Sequence, residues 1–234
     1  ADAGLAYALR DTASNAGQWS PMTATAAQAV IPRADTIAIW TDDTGVSSST
    51  NKMIVWGGVT ATGAPTIFAG IYNPLVATWT VATSTNAPAA RTNHTAVWTG
   101  NTGNPATANR LIVWGGIPLD PPQPATNTGG IYDPASDTWT LLSTTEANLP
   151  EARYDHTAVW TDSEMIIWGG RKSNLDSEKL ADGGRYNPLT KTWSSINLII
   201  APSKRCKHSA VWTGSEMIVW GGLTTPGNSP TDDG

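Results

Sequence analysis

Twelve tryptophans fall into three slots of a unit that occurs four times, and none lies outside the pattern. Trp40, Trp98, Trp160 and Trp212 end runs of the type HTAVW, while Trp56, Trp114, Trp168 and Trp220 precede a Gly-Gly pair. Trp19, Trp79, Trp139 and Trp193 sit in a Thr-Trp segment or its equivalent. A period of roughly 50 to 60 residues signals a supersecondary unit that buries its apolar faces by stacking on copies of itself. An aromatic binding cleft would use tryptophan unevenly. Equal use in every unit predicts packing between units, each ring burying roughly 150 to 250 Å².

The rest of the unit is as regular. RTNHTAVWTG begins at Arg91, RYDHTAVWTD at Arg153, RCKHSAVWTG at Arg205 and a degenerate RADTIAIWTD at Arg33. Apolar runs follow, ending in Trp-Gly-Gly at Gly58, at Gly115 and Gly116, at Gly169 and Gly170, and at Gly222. Then come FAGIYNPLVATWT, TGGIYDPASDTWT and DGGRYNPLTKTWS, in which Tyr72 and Trp79, Tyr132 and Trp139, and Tyr186 and Trp193 keep one spacing. TAVW and MIIW are β-branched, aromatic and apolar at nearly every position, as strands covered on both faces are. Thr161 to Glu164 is short enough for a hairpin, and Asn-Pro or Asp-Pro turns the third strand into the fourth. Charged residues make up 14% of the chain, against roughly 25% in an average soluble protein. No segment has helical periodicity. The prediction is an all-β protein of four-stranded antiparallel blades arranged as a β-propeller.

Arg-x-x-His, Gly-Gly, and a Tyr then a Trp downstream make the unit similar to the kelch repeat, over nearly the whole chain. The resemblance is to bacterial kelch-like proteins and to the central domain of galactose oxidase. It is weakest in ADAGLAYALRDTASNAGQWSPM, where Tyr7 and Trp19 are twelve apart, about five residues more than elsewhere. Residues 1–234 are read as one propeller domain, with repeats at about 33–90, 91–152, 153–204 and a composite of 205–234 with 1–32. Two arrangements stay open: a ring closed by pairing of the terminal strands, within one chain or in a homodimer, and a segment of a larger ring of six to eight blades. ADAGLAYALRD lacks the charged region and apolar core of a signal peptide, and a start on alanine is expected of a mature or excised chain.

The recurring polar residues are Arg33, Arg91, Arg153 and Arg205, with His94, His156 and His208; Thr36 takes the fourth histidine's place. They could ring the channel around an anion or metal. The expectation favoured here is structural, with each hydrogen-bonded to main chain or acids between adjacent blades. Galactose oxidase joins a tyrosine to a cysteine beside copper, and Tyr154 and Cys206 share one slot of neighbouring repeats. Copper is nevertheless not expected, because the histidines are committed to repeat positions. The single cysteine excludes an internal disulfide. No cofactor is expected beyond loosely bound calcium at Asp42–Asp43 or Asp232–Asp233. Sialidase boxes and Gly-x-Ser-x-Gly are absent, and Glu146, Glu151, Glu164, Glu178 and Glu216 read as solvated turn residues.

Departures from the repeat lie in loops that the fold does not dictate. The loops after Gly-Gly are IPLDPPQPATNTG in the second full repeat and RKSNLDSEKLAD in the third. In kelch-like rings this face is commonly the binding face, which points to Leu119, Asp120, Arg171, Lys172, Asp176 and Lys179, or else to plain solvated spacers. The expected function is a non-catalytic scaffold that binds a protein or a glycan. The alternative is a carbohydrate-active enzyme, of oxidase or epimerase type, with its site at the channel mouth. With a net charge of -5 and no basic stripe, no nucleic acid partner is expected. No stretch is apolar enough to span a membrane. Low charge and Thr/Asn/Gly-rich loops suggest an extracytoplasmic, secreted or envelope protein of bacterial type.

Overall fold

The computed structural model describes residues 6–10, 18–22, 32–41, 51–119, 124–224 and 229–230. Three four-stranded antiparallel sheets form consecutive blades. The first contains Ile37–Trp40, Met53–Trp56, Gly70–Asn73 and Thr78–Val81. The second contains Thr95–Trp98, Leu111–Trp114, Gly129–Asp133 and Thr138–Leu141. The third contains Thr157–Trp160, Met165–Trp168, Gly183–Asn187 and Thr192–Ser195. Two hairpins accompany them: Ala6–Arg10 with Gln18–Met22 near the N-terminus, and Ser209–Trp212 with Met217–Trp220 near the C-terminus. Among the described residues the only helical element is a 3-10 turn, Asp176–Glu178, and no helix is long and apolar enough to cross a membrane.

The fixed Tyr-to-Trp spacing has a local cause. Asn73, Asp133 and Asn187 each accept the main-chain N–H two residues on, at 2.9 to 3.0 Å, which starts the turn. Ala77, Asp137 and Lys191 close it in the left-handed region. Tyr and Trp then pair directly across the two strands in every blade. Their ring centroids are 5.1 to 5.2 Å apart.

Between blades, the tryptophan before Gly-Gly packs on the Thr-Trp tryptophan of the next blade. Trp56 lies 5.6 Å from Trp139 and Trp114 lies 5.4 Å from Trp193. Burying an indole of 150 to 250 Å² contributes about 4 to 6 kcal/mol of gross transfer free energy, so these rings carry much of the blade interface. The other slot behaves differently. Trp98 and Trp160 are partly buried and pack against the apolar clusters shared by adjacent blades, while Trp40 is half exposed, so this slot contributes to packing between repeats with less burial than the other two.

The histidines lock the same interfaces. His94, His156 and His208 stand edge-on to Trp56, Trp114 and Trp168 of the preceding blade, at 5.1 to 5.3 Å. His156 Nε2 is 2.8 Å from Thr95 Oγ1, and His208 Nε2 is 2.8 Å from Thr157 Oγ1. Where histidine is replaced, Thr36 donates to the Trp56 carbonyl at 2.8 Å. The arginines depart from expectation, because their side chains brace their own blade. Arg91 Nη1 donates to Gly115 O and Thr128 O at 2.9 and 2.8 Å, Arg153 Nη1 to Gly169 O and Asp182 O at 3.1 and 2.9 Å, and Arg205 Nη1 to Gly221 O at 3.0 Å. Their main-chain carbonyls make the inter-blade bonds instead, accepting from Gly58, Gly116 and Gly170 at 2.8 to 3.0 Å.

Two other details differ from the sequence reading. Glu164 is no solvated turn residue: its Oε2 accepts from Arg185 Nε at 2.8 Å and pairs with Nη2 of the same arginine. Two-residue ladders, which no repeat signal announces, join Arg33–Ala34 with Val59–Thr60, Arg91–Thr92 with Ile117–Pro118, and Arg205–Cys206 with Leu223–Thr224. These ladders tie each incoming chain segment to its post-Gly-Gly loop, on one face of the assembly.

Candidate functional site

The loop face is built around residues that precede each histidine slot. Asp35, Asn93, Asp155 and Lys207 all have φ between 53° and 56°, a conformation in which Asn and Asp are enriched. Asp155 N–H donates to Asn93 O at 3.3 Å and Lys207 N–H to Asp155 O at 2.9 Å, so consecutive blades are stitched at the channel mouth. Asn93 Nδ2 also donates to Asp155 Oδ1 at 2.8 Å.

Asp155 in turn holds the third blade's loop. Its Oδ2 accepts from Arg171 Nε at 2.9 Å and Nη2 at 2.7 Å, with both side chains largely buried. Such charge-assisted bonds are roughly twice as strong as neutral ones. The guanidinium lies 4.8 Å from the Tyr154 ring centroid, and Tyr154 donates its hydroxyl to Asn174 Oδ1 at 2.9 Å. Burial raises the Tyr154 pKa, partly offset by Arg171. Lys179 is buried and donates to Thr224 O at 2.8 Å, which ties the loop's far end to the next unit. Arg171 and Lys179 therefore act chiefly beneath the surface.

The other residues that the sequence singles out on this face are spread out. Lys172 reaches solvent and bonds Glu151 at 2.9 Å, which raises its pKa. Leu119 is half-buried, its N–H on Ala90 O at 3.0 Å. Asp176 opens the 3-10 turn, and Asp120 lies outside the described residues, as do Asp42–Asp43 and Asp232–Asp233. At the loop's apex Leu175 is exposed.

The histidines do not converge on one point, since each faces a different tryptophan. Burial, and secondarily the adjacent arginine, lowers His94 to about 3 and His208 to about 4, and drives His156 well below its ordinary value. All three are neutral at pH 7. Burial pushes the Cys206 thiol up, which disfavours a reactive thiolate. Among the described residues no three of His, Cys, Asp and Glu are grouped to hold a metal ion.

Sequence reasoning missed the most distinctive surface on this face, the connection from the third blade to Arg205. Leu198, Ile199 and Ile200 are consecutive exposed apolar residues. The turn is ordered: Ile199 N–H donates to Asn197 Oδ1 at 2.9 Å and Ala201 N–H to Leu198 O at 3.2 Å. Ile200 is 99% exposed and has φ 60°. A β-branched residue in that region is a genuine outlier. The same position five residues before the arginine is Asn86 and Asn148 in the two preceding connections, each at φ 59°. Replacement of asparagine by isoleucine at one repeat position was the available signal.

A family model described as the KLHDC2/KLHL20/DRC7 Kelch-repeats domain matches residues 105–233. Similar proteins include Ras guanine nucleotide exchange factor F of Dictyostelium discoideum, 30% identical over 146 residues, which are 62% of this chain and 12% of that protein. An F-box/kelch-repeat protein of Arabidopsis thaliana is 32% identical over 100 residues, 42% of this chain and 24% of the relative. Kelch domain-containing protein 3 of Homo sapiens is 27% identical over 95 residues, 40% of this chain and 24% of the relative. The matches thus cover no more than 24% of any of these relatives. All three are eukaryotic, which overturns the expectation of a bacterial, extracytoplasmic protein: low charge and polar loops follow from the blade architecture and carry no information about source. The blade geometry, the repeated Arg, His, Gly-Gly, Tyr and Trp, and the family match agree, and the chain belongs to the kelch-repeat family.

Proposed function

We propose that this chain is a protein-binding module whose contact surface is the loop face, centred on Leu198, Ile199 and Ile200 and extended by Leu175 and Lys172. Kelch-repeat domains generally mediate protein–protein interaction. The observation that carries the assignment to this surface is Ile200, solvent-exposed and strained where the repeat otherwise uses asparagine. Strain of this kind costs about 1 to 3 kcal/mol and persists where the surroundings enforce it, often at binding sites. Exposed leucine and isoleucine on an ordered turn offer contact area with little ordering cost on association. The post-Gly-Gly loop of the third blade adds charged groups to this face, with Lys172 paired to Glu151 and Glu178. The partner is accordingly a protein with an apolar patch.

A photo-crosslinking residue at Ile199 tests this. The reading expects crosslinks to a protein other than this chain, reduced by Ile200→Asn and unaffected by Leu189→Asp on the outer turn of the third blade. Equal yield from both variants, or capture through a face without these loops, would refute it.

A further inference from the structure

The hairpin that opens the second blade is built out beyond what its strands need. Thr99 N–H donates to Arg110 O at 3.0 Å, the same closing bond that Thr161 N–H makes to Glu164 O and Thr213 N–H to Glu216 O. Twelve residues run from Thr99 to Arg110 where four suffice from Thr161 to Glu164. The longer loop is held by its own hydrogen bonds. Thr99 Oγ1 donates to Thr107 O at 2.6 Å and accepts from Arg110 N–H at 2.9 Å, and the hydroxyls of Thr102 and Thr107 stand 2.8 Å apart. Asn101 and Asn104 each accept the main-chain N–H two residues on, and Arg110 pairs with Asp133 at 3.0 Å. An ordered loop that the fold does not require is a place for function.

Two hollows share Trp98 as a wall at this end of the strands, opposite the post-Gly-Gly loops. The larger, of about 370 Å³, is lined by Trp98, Thr99, Asn101, Thr102, Trp160 and Asp162. The smaller, of about 230 Å³, has Lys52 and Asn109 in its wall. Asn109 Oδ1 is buried and has no hydrogen-bond partner among the described residues.

The lining chemistry selects the ligand. An indole presents a negative π face to weakly positive C–H groups, and hydroxyls, amides and a carboxylate match ligand hydroxyls at the ring's edge. The charged side chains in the two walls are one Asp162 and one Lys52, which suits neither a phosphate nor a fatty chain. An unpaired buried acceptor is costly, and a ligand hydroxyl supplies the donor that Asn109 lacks. We propose that this face binds a neutral saccharide, its rings packed on Trp98 and Trp160, its hydroxyls on Asn101 and Asp162, and one hydroxyl donated to Asn109. The site lies away from Leu198 to Ile200 and does not depend on the protein-binding reading.

Titration of ¹⁵N-labelled protein with methyl glucoside, methyl galactoside, N-acetylglucosamine, cellobiose and lactose tests this. At least one is expected to shift the amide signals of residues 99–110 and the indole signals of Trp98 and Trp160, with a Kd of about 1 mM or tighter. Asn109→Gly keeps the left-handed backbone at φ 56° while removing the amide, and should weaken binding by about tenfold. Replacing residues 99–110 with the Thr-Asp-Ser-Glu turn of the third blade keeps the closing bond and should abolish the response. No response to any of these sugars, shifts that map to another face, or a response that survives the loop replacement would overturn the proposal. So would binding of tetramethylammonium that Asp162→Asn removes, because the larger hollow would then be a cation site.

Discussion

The imidazole of His156 occupies the space that a side chain on Gly115 of the preceding blade would need: a Cβ there would lie 2.6 Å from His156 Cε1 and 3.0 Å from Arg153 O. Gly57 with His94 and Gly169 with His208 repeat the relationship. The Gly-Gly of the repeat is thus a receptor for the next blade's histidine, which explains why Arg-x-x-His and Gly-Gly travel together in the sequence.

Gly115→Ala is expected to destabilise the protein by about 3 kcal/mol or more, since it adds a clash with the buried His156 ring, and a tight contact with Arg153 O, to the strain of φ 69°. Gly100→Ala, at φ 61° but with nothing within 4 Å, isolates the strain alone and should cost about 1 kcal/mol. Urea denaturation of both variants separates the two effects.

Stability should fall on acidification through the histidines. Their folded pKa values lie below the unfolded value near 6.5, at about 3 for His94 and about 4 for His208. Below pH 6.5 the unfolded chain therefore binds protons that the folded chain excludes. Their contribution is complete above pH 6.5 and is lost as pH falls towards 4 and 3, at up to about 1.4 kcal/mol per pH unit for each histidine. Thermal melts from pH 7.5 to 4.5 should show this slope, and His208→Gln should reduce it.

Much of this architecture is legible in sequence because packing repeats. The tryptophan slots, the Tyr and Trp partners and the four-stranded blade each rest on side chains whose role recurs at fixed spacing. The arginines illustrate the limit: Arg153 looks the same in sequence whether it grips Gly169 and Asp182 of its own blade or a neighbour. The two-residue ladders carry no apolar period, and the Glu164–Arg185 pair joins a hairpin-turn residue to one on the strand Gly183–Asn187, distant in sequence. Of the candidate site, the post-Gly-Gly loop stands out by its departure in composition. Lys179 and Arg171 attract notice by their charge, yet they bury that charge to hold the loop. Leu198 to Ile200 escapes notice because an apolar triplet in a connection resembles a strand end unless its φ angles are known.

Removing the brace beneath the loop should loosen it without unfolding the ring. Asp155→Ala leaves Arg171 largely buried without its carboxylate, a loss of about 2 to 4 kcal/mol locally. Trypsin is expected to cut after Arg171 or Lys172 at least tenfold faster in this variant, while the Trp fluorescence of the blades is unchanged. Equal cleavage rates would mean that the loop is held by other contacts.

Arg153→Lys should behave as a disruptive change. The guanidinium reaches Glu151 O through Nε while Nη1 reaches Gly169 O and Asp182 O, a spread that one ammonium cannot match, and carbonyls in the blade lose their donors. A destabilisation of about 3 kcal/mol is expected in denaturant, with Arg185→Lys, where the guanidinium is half exposed and the charge is kept, near 0.5 kcal/mol or less.

The assignment of the loop face as the binding surface is tested most directly by Ile200→Asn, measured for stability and partner affinity on the same protein. Asparagine relieves the left-handed strain and restores what Asn86 and Asn148 provide in the other connections. The expected result is a chain more stable by about 1 kcal/mol that binds its partner protein at least tenfold more weakly. Higher stability with undiminished binding would contradict the account, because Ile200 would then be strained to no functional end.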